Sequence, residues 1–327
     1  MTTPLIERYR DRLPIATSTP IVSLGEGSTP LLHVPRVSER LGADVYVKWE
    51  GANPTGSFKD RGMTVAISKA LEAGARAVVC ASTGNTAASA AAYAARAGLT
   101  AVVLQPAGAV AAGKLAQARA HGAHVLDVLG SFDEALDAAR ALEARGTHVL
   151  ANSLNPHRLE GQKTAAFELV EELGAAPDVL ALPYGGGGNV CAYARGFAEA
   201  GAGMPRILAG EAAQRATTVA SAIRIAEPVH VREAEQAVQA SGGAVVSLPD
   251  ETILEAWREL ALREGVFCEP ASAAGLAALG PDRIERGVSV VCVVTGHGLK
   301  DPDAVARVSA PPVTVAPDPD AIAAAVR

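Results

Sequence analysis

The chain has 327 residues, 49% of them hydrophobic, and a formal net charge of −6. This length exceeds that of one small domain and indicates two domains or one large α/β unit. Acidic and basic residues are interspersed without a block of lysine or arginine, so nucleic acid and anionic membrane surfaces are not expected as partners. Polar residues, glycine and proline interrupt the uncharged stretches 77–95 and 97–113, which therefore do not predict a membrane span.

The cysteines predict neither a disulfide framework nor a metal site. Cys80, Cys191, Cys268 and Cys292 lie far apart, and neither a Cys-x-x-Cys pair nor a histidine spacing typical of zinc occurs. Three of the four lie in or beside apolar runs, and the N-terminus lacks the apolar core of a signal peptide. We therefore expect buried, reduced thiols in a cytoplasmic protein.

Short apolar runs alternate with segments of helical spacing along most of the chain. Strands are predicted at 45–49, 77–81, 101–104, 125–129, 148–150, 207–209, 244–248 and 288–294. Helices are predicted at 60–73, from 87, at 113–121 and 132–144, from 160, at 190–200, 232–240 and 251–264, and near the C-terminus. Repeated βα units predict parallel, doubly wound sheets with helices on both faces. Ligands of such sheets bind at the carboxyl ends of the strands.

The segment from Glu50 to Met63 places a lysine at the start of a predicted helix. Pro54 and two glycines exclude regular structure in its first half, and Ser57 is a suitable N-cap for a helix that begins near Asp60. The positive end of the helix dipole disfavours a cation and should lower the pKa of Lys59. Such an amine can form a Schiff base with a carbonyl compound; a solvated surface lysine is the alternative.

A polar loop follows the predicted strand at 77–81. Its sequence is Ser82-Thr-Gly-Asn-Thr86, and a helix begins after it. Hydroxyl and amide groups beside the free N–H groups of a helix N-terminus can bind a carboxylate or a phosphate. An ordinary capped βα turn is the alternative.

A run of four glycines follows the apolar segment 178–184. Gly185 to Gly188 and then Asn189 precede a predicted helix. Consecutive glycines leave backbone N–H groups uncovered, so that the loop can wrap an anion such as a phosphate. The run is neither a P-loop nor a Gly-x-Gly-x-x-Gly dinucleotide motif. A tight turn that needs glycine for its geometry is the alternative.

The run from Asn53 to Met63, Asn-Pro-Thr-Gly-Ser-Phe-Lys-Asp-Arg-Gly-Met, resembles the cofactor-lysine motif of the threonine synthase family, pyridoxal-phosphate enzymes of fold type II. The resemblance extends from Gly25 to Asp301 through five separated motifs in the family's order. It implies two doubly wound α/β domains with the cofactor in the cleft between them, and a homodimer. We expect a smaller domain at 41–145 and a larger pyridoxal-phosphate-binding domain formed by 1–40 plus 146–327.

The resemblance also implies a role for each matching residue. Lys59 would be the Schiff-base lysine, Asn85 would contact the pyridine 3-hydroxyl group, and Thr295 the pyridine nitrogen. The cofactor phosphate would be bound by Gly185, Gly186, Gly187, Gly188 and Asn189. The substrate would be contacted by Ser82, Thr83, Thr86, Asn152, Ser153 and Arg158, with the guanidinium of Arg158 on a substrate phosphate. A surface salt bridge is the alternative for Arg158.

The reaction that the resemblance implies converts O-phospho-L-homoserine and water to L-threonine and phosphate. Phosphate would leave from the γ carbon, water would add at the β carbon, and Lys59 would move protons at the α and β carbons. No metal is implied.

Three positions depart from the family's pattern. Threonine synthases commonly carry Gly-Asn-Ala-Gly-Asn in the phosphate loop, so the amide expected at Gly186 is missing. Tyr184 replaces a smaller apolar residue, and Glu211 replaces an uncharged glutamine. Because a polyglycine loop is more similar to serine/threonine dehydratases of the same fold, a dehydratase or another elimination or replacement enzyme with a different amino-acid substrate is the main alternative.

Two other classes fit the sequence less well. A catalytically silent ligand-binding protein of this fold would not need Lys59 together with a complete cofactor site. A nicotinamide-dependent dehydrogenase is disfavoured because no dinucleotide fingerprint is present.

Overall fold

The computed structural model describes residues 3–108, 115–225, 228–280, 282–308 and 310–326. The strands are β1 Leu31–His33, β2 Asp44–Trp49, β3 Ala77–Ala81, β4 Thr100–Pro106, β5 His124–Val128, β6 Val149–Leu150, β7 Val179–Pro183, β8 Arg206–Ala212, β9 Ala244–Leu248 and β10 Ser289–Val294. The helices are α1 Leu5–Arg8, α2 Pro35–Leu41, α3 Lys59–Glu72, α4 Asn85–Ala97, α5 Ala116–Ala120, α6 Phe132–Ala144, α7 Pro156–Gln162, α8 Thr164–Leu173, α9 Gly188–Ala200, α10 Val231–Ala240, α11 Asp250–Glu264, α12 Ala274–Ala277, α13 Pro302–Val308 and α14 Pro319–Ala325.

These elements match most of the predicted ones, and the differences have local reasons. The predicted bounds of β3, α6 and β9 agree with the observed ones. Residue 113, at which a helix was predicted to begin, lies outside the described residues. Helix α2 was not predicted. Its signals were Pro35 at the first helical position and Gly42 at the C-terminal end, where the backbone is left-handed with φ of 65°.

The strands form two sheets. The larger sheet has the order β1-β2-β10-β7-β8-β9, and the smaller has the order β5-β4-β3-β6. Strand β1 pairs antiparallel with β2, and the other pairs are parallel. The α/β class and the parallel sheets predicted from the alternation of strands and helices are therefore confirmed.

Each sheet is covered by helices on both faces, as the doubly wound arrangement requires. In β3, Val78 and Cys80 pack with residues of α3 and α4, whereas Val79 and Ala81 pack with residues of α6. Neighbouring side chains of a strand point to opposite faces, so β3 contributes to two separate cores. Strand β7 behaves in the same way, between α12 on one face and α8 and α9 on the other.

Strands β2 and β6 each pair with strands of the other predicted domain, and not with strands of the domain in which the predicted bounds place them. Strand β2 falls inside 41–145 but pairs with β10 of the larger sheet, with Val45 opposite Val290. Strand β6 falls after 145 but pairs with β3 of the smaller sheet, with Val149 opposite Val78. A short apolar run shows that a strand is buried and not which sheet it joins. The division into domains at 41 and 145 stays a prediction.

The loop before α3 is held by a residue of the helix and not by the predicted cap. Helix α3 begins at Lys59, and the buried hydroxyl of Ser57 has no hydrogen-bond partner among the described residues. The prediction of Ser57 as N-cap was therefore wrong. Instead the buried carboxylate of Asp60 accepts hydrogen bonds from the Thr55 backbone N–H at 2.7 Å and from the Thr55 hydroxyl at 2.6 Å.

A buried group of charges joins β2, α3 and α8. Arg61 is 1% exposed; its Nε donates to Glu50 at 2.7 Å, and Nη1 and Nη2 each donate to Glu168 at 2.7 Å. Lys48 lies 3.1 Å from Glu168 on the other side. Burial by itself would raise the pKa of the Glu168 carboxyl, but the Arg61 and Lys48 charges hold that pKa at about 2. This network fixes α3 close to the residue at which the helix begins.

Two features of other protein classes are absent from the described residues. Within the described ranges, no helix combines the length and the apolar content needed to cross a bilayer. The same residues contain no cluster of three or more His, Cys, Asp and Glu side chains that could hold a metal ion.

We predict that Glu168→Ala lowers the free energy of unfolding by about 3–5 kcal/mol, because Arg61 loses one of its two buried carboxylate partners and Lys48 keeps only the partly exposed Glu172 as its carboxylate partner. Chemical denaturation followed by circular dichroism measures the change. The matched control is Asp137→Ala, which removes an exposed partner of Arg140 on α6 and should leave stability nearly unchanged. Equal stability of the two variants would contradict a structural role for the buried network.

Candidate active site

Three neighbouring strands of the larger sheet end in three of the predicted motifs. Strand β10 lies between β2 and β7, with Val294 opposite Trp49 and Cys292 opposite Ala181. The segment to Lys59 follows β2, Thr295 follows β10, and the glycine run follows β7. The topology therefore gathers these motifs at the carboxyl edge of one sheet, where ligands of such folds bind.

The smaller sheet contributes two adjacent loops. Ser82–Thr86 follows β3, and Asn152 and Ser153 follow its neighbour β6. The Asn152 amide donates to the Ala81 carbonyl at 2.8 Å and accepts from the Ala81 N–H at 2.9 Å. Asn152 therefore holds the end of β6 against the strand that leads into the Ser82–Thr86 loop.

Polar contacts connect the loops of the two sheets. The amide Nδ2 of Asn85 donates to Oε1 of Glu269 at 2.9 Å. On the other side, a ring nitrogen of His230 lies 3.0 Å from the carbonyl oxygen of Ser153, and the backbone N–H of His230 donates to the carbonyl of Gly186 at 3.1 Å. The predicted residues of the smaller sheet are thus brought to the glycine run and to the Glu269 segment.

Helices α3 and α7 approach each other closely through two glycines. A Cβ atom at Gly62 would lie 2.6 Å from the Arg158 carbonyl oxygen, and one at Gly161 would lie 1.9 Å from the Arg61 carbonyl oxygen. Only glycine allows this distance between the backbones. The close packing places the guanidinium of Arg158 near Lys59.

Lys59 has the lowered pKa that the sequence predicted, for reasons that go beyond the helix dipole. Burial and, to a smaller extent, the positive charge of Arg158 lower the pKa of the Lys59 ammonium from 10.5 to about 7, while Glu269 acts in the opposite sense. The ammonium lies 4.5 Å from the centre of the Phe58 ring. An amine with this pKa is substantially unprotonated at neutral pH.

Arg158 is a buried cation with unused donors. Its side chain is 0% exposed, which rules out the alternative of a surface salt bridge. Nη1 donates to the Ala151 carbonyl at 2.7 Å, whereas Nε and Nη2 have no hydrogen-bond partner among the described residues. Burial lowers the pKa of Arg158 to about 10. A buried guanidinium with two free donors suits a bidentate anionic ligand such as a phosphate.

The glycine run forms a cup, which we define as residues 185–189, at the N-terminus of α9. Gly187 has φ of 83°, and a Cβ atom there would lie 2.8 Å from the His230 carbonyl oxygen. A Cβ at Gly186 would instead meet its nearest neighbour, Cδ1 of Ile225, at an ordinary 3.5 Å. The amide Nδ2 of Asn189 is buried without a hydrogen-bond partner in the described part of the chain. These features fit an anion held by backbone and amide N–H groups.

Thr295 lies directly beside the segment that carries the lysine. It is 6% exposed, its hydroxyl lies 3.0 Å from the Ser272 hydroxyl, and its carbonyl accepts from the Phe58 N–H at 3.0 Å. The Ser272 hydroxyl in turn accepts from the Gly296 N–H at 2.8 Å. A hydroxyl held in this way can still donate to or accept from a ring nitrogen.

The hydroxyl groups of the Ser82–Thr86 loop form few hydrogen bonds with other described residues. Thr83 and Thr86 are half-buried in the polar loop, and no hydrogen bond from their hydroxyls to another described residue is found. The Ser82 hydroxyl accepts from the N–H groups of Gly84 and Ala87, both at 3.3 Å.

Three residues lie at the site although the sequence implied no role for them. Glu269 and Ser272 belong to Glu269-Pro-Ala-Ser-Ala-Ala-Gly275, a stretch that shares the family resemblance, but the resemblance does not show what these side chains contact. His230 lies in an irregular segment with no motif, so no local signal could have identified it.

Known proteins resemble this chain over most of its length. The family described as pyridoxal-phosphate dependent enzymes matches residues 22–296. A threonine synthase of Synechocystis sp. is 52% identical over 336 residues, which cover 97% of this chain and 88% of the relative. A threonine synthase of Halalkalibacterium halodurans is 47% identical, with 91% and 90% covered. The structure of maize serine racemase has the same fold, with a TM-score of 0.72 at 23% identity over 83% of this chain and 88% of that one.

We predict that acylation of Lys59 in cofactor-free protein accelerates with rising pH around a midpoint near 7, because only the unprotonated amine reacts and its pKa is about 7. Brief labelling with acetic anhydride, followed by peptide mass spectrometry, measures this midpoint.

The Arg158→Gln variant tests the electrostatic part of the cause. It removes the positive charge that helps to lower the pKa, so its midpoint should move upward, whereas Arg140→Gln on the exposed face of α6 should not move it. A midpoint near 10 in the unmodified protein would contradict the assignment.

Proposed function

We propose a substrate, a reaction and residue roles for this chain, which belongs to the threonine synthase family of pyridoxal-phosphate dependent enzymes. It is a pyridoxal-phosphate-dependent lyase with the fold type II architecture. The substrate is O-phospho-L-homoserine, which reacts with water to give L-threonine and phosphate. The observation that carries this proposal is the buried Arg158, whose two unpartnered donors beside Lys59 suit a phosphate group on the substrate.

The residues of the site fit pyridoxal phosphate. Lys59 supplies an amine for its aldehyde, and residues 185–189 supply N–H groups for its phosphate, including the unpartnered amide of Asn189. Asn85 would contact the ring hydroxyl group, and the Thr295 hydroxyl would be the partner of the ring nitrogen. When bound, this cofactor stabilises negative charge that develops on the α carbon of an amino acid.

Lys59 is the group that holds and moves protons at the α and β carbons of the substrate. A general acid or base works best when its pKa lies near the working pH, and the pKa of Lys59 is about 7. The positive charge of Arg158 disfavours protonation of the Lys59 amine. The same charge binds the phosphate that leaves from the γ carbon.

The polar loop orients the substrate. Ser82, Thr83 and Thr86 lie at the N-terminus of α4, where hydroxyls and free helix N–H groups favour an anionic substrate group. Asn152 and Ser153 complete this side of the site. Asn152 acts partly through its two hydrogen bonds with Ala81, which hold the loop in place.

A homodimer and a cytoplasmic location are further proposals. The location is supported by the cysteines, because Cys80, Cys268 and Cys292 are buried free thiols and burial raises the pKa of each. Sedimentation at several protein concentrations tests the dimer.

We expect cofactor-loaded protein to release L-threonine and phosphate in equal amounts from O-phospho-L-homoserine. Lys59→Ala should lose roughly 10²–10⁴-fold or more of this activity, because proton transfer at two carbons is removed. Coupled phosphate and amino-acid assays measure both products. Formation of a 2-oxo acid and ammonia from serine or threonine, without turnover of the phosphorylated substrate, would contradict the proposal and favour a dehydratase.

Arg158→Gln should weaken use of the phosphorylated substrate by roughly 10²-fold in kcat/KM, because two charge-assisted hydrogen bonds are lost. The matched control is Arg140→Gln, an exposed arginine on α6, which should have wild-type kinetics. An unchanged kcat/KM in Arg158→Gln would show that the substrate phosphate binds elsewhere.

A further inference from the structure

Two positions that depart from the family's pattern contact the same arginine beside the cup. The guanidinium of Arg215 forms an ion pair with Glu211 and lies 4.8 Å from the centre of the Tyr184 ring. Tyr184 is 2% exposed, so its ring is a fixed surface for the cation. Glu211 and Tyr184 together hold Arg215 in one place.

The arginine held in this way reaches the first peptide of the cup. Nη1 of Arg215 donates to the carbonyl oxygen of Gly185 at 3.3 Å. In a trans peptide the C=O and the following N–H point in opposite directions. The contact of Arg215 with the Gly185 carbonyl therefore directs the N–H of Gly186 away from Arg215.

The peptide between Gly186 and Gly187 is oriented in the same way, by a hydrogen bond to its carbonyl. The backbone N–H of His230 donates to the carbonyl of Gly186 at 3.1 Å, which directs the N–H of Gly187 away from His230. Across the described residues, no backbone hydrogen bond from the N–H of Gly186 or Gly187 is found. Both donors are thus available to an anion.

A cup that begins with four consecutive glycines needs such outside support. Glycine has the widest range of backbone conformations, and the side chain that the family commonly carries at position 186 is absent here. The nearest atom to a Cβ at Gly186 is 3.5 Å away, so packing does not restrict this residue.

We propose that Arg215, fixed by Glu211 and Tyr184, is a positioning residue of the cup that aims the Gly186 N–H at the phosphate of the cofactor. The inference rests on the proposed placement of that phosphate at residues 185–189. Arg215 contacts the carbonyl on one side of the peptide and acts through the N–H on the opposite side. Its removal therefore affects recognition of the phosphate and leaves the reaction of Lys59 with the aldehyde intact.

The test compares pyridoxal 5′-phosphate with pyridoxal, which lacks the phosphate. The cofactor is removed with hydroxylamine, and each ligand is titrated while the visible absorbance that follows reaction with Lys59 is recorded. Arg215→Ala should bind pyridoxal phosphate roughly tenfold more weakly, because one charge-assisted hydrogen bond loses its alignment. Its affinity for pyridoxal should equal that of the wild type. The ³¹P resonance of the bound cofactor should also shift.

Two further variants make the result decisive. Arg206→Ala removes another arginine of the β8 region, whose Nη2 donates to the Arg283 carbonyl at 2.6 Å away from the cup, and should change neither affinity. Gly187→Ala places a Cβ against the His230 carbonyl oxygen. It should weaken the binding of pyridoxal phosphate and leave the binding of pyridoxal unchanged.

The outcomes separate the two proposals. Equal losses for both ligands in Arg215→Ala, or no loss for either while Gly187→Ala is impaired, would overturn the role of Arg215 and leave the placement of the phosphate standing. Wild-type binding of pyridoxal phosphate by Gly187→Ala would overturn that placement, and the role of Arg215 with it.

Discussion

The ion pairs of Arg61 are the constraint on which the position of Lys59 depends. Arg61 lies two residues after the lysine and is enclosed by Glu50, directly after β2, and by Glu168 on α8. A buried charge that loses its partner costs several kcal/mol, so α3 cannot rotate or slide without a large penalty. This network adds little net stability over an apolar core of the same shape; its effect is to define one position for the start of the helix, and therefore for the amine.

The charge balance of the site favours anions. Lys59 and Arg158 are buried near each other, and burial lowers the pKa of both. The close packing of Gly62 and Gly161 imposes this proximity, because a larger side chain at either position would separate α3 from α7. Donors that are already oriented and desolvated require little reorganisation when a ligand arrives, which is the condition under which electrostatic stabilisation of a reaction is most effective. The folded chain has therefore buried the Arg158 cation at a cost in free energy that an anionic ligand offsets.

In the cup, residues outside the loop compensate for the side chain that is missing at Gly186. Gly186 lacks the amide that the family commonly carries, and a run of glycines would by itself be poorly ordered. Contacts from outside the loop hold the two flexible peptides: Arg215 binds one carbonyl, and the backbone of His230 binds the next. Tyr184 and Glu211, which looked like separate departures, belong to one cluster around Arg215.

The sequence by itself determined the alternation of strands and helices, the family resemblance and the motifs at the carboxyl ends of strands, because these depend on local patterns and short runs of residues. It did not determine that β2 and β6 join sheets outside their predicted domains, or that Asp60 and not Ser57 holds the loop before α3. Nor did it reveal the free donors of Arg158 or the contact of Arg215 with Gly185. Only the tertiary structure decided these points, since each depends on groups that pairing and packing bring together from separate elements, where the type of a residue does not specify its partner.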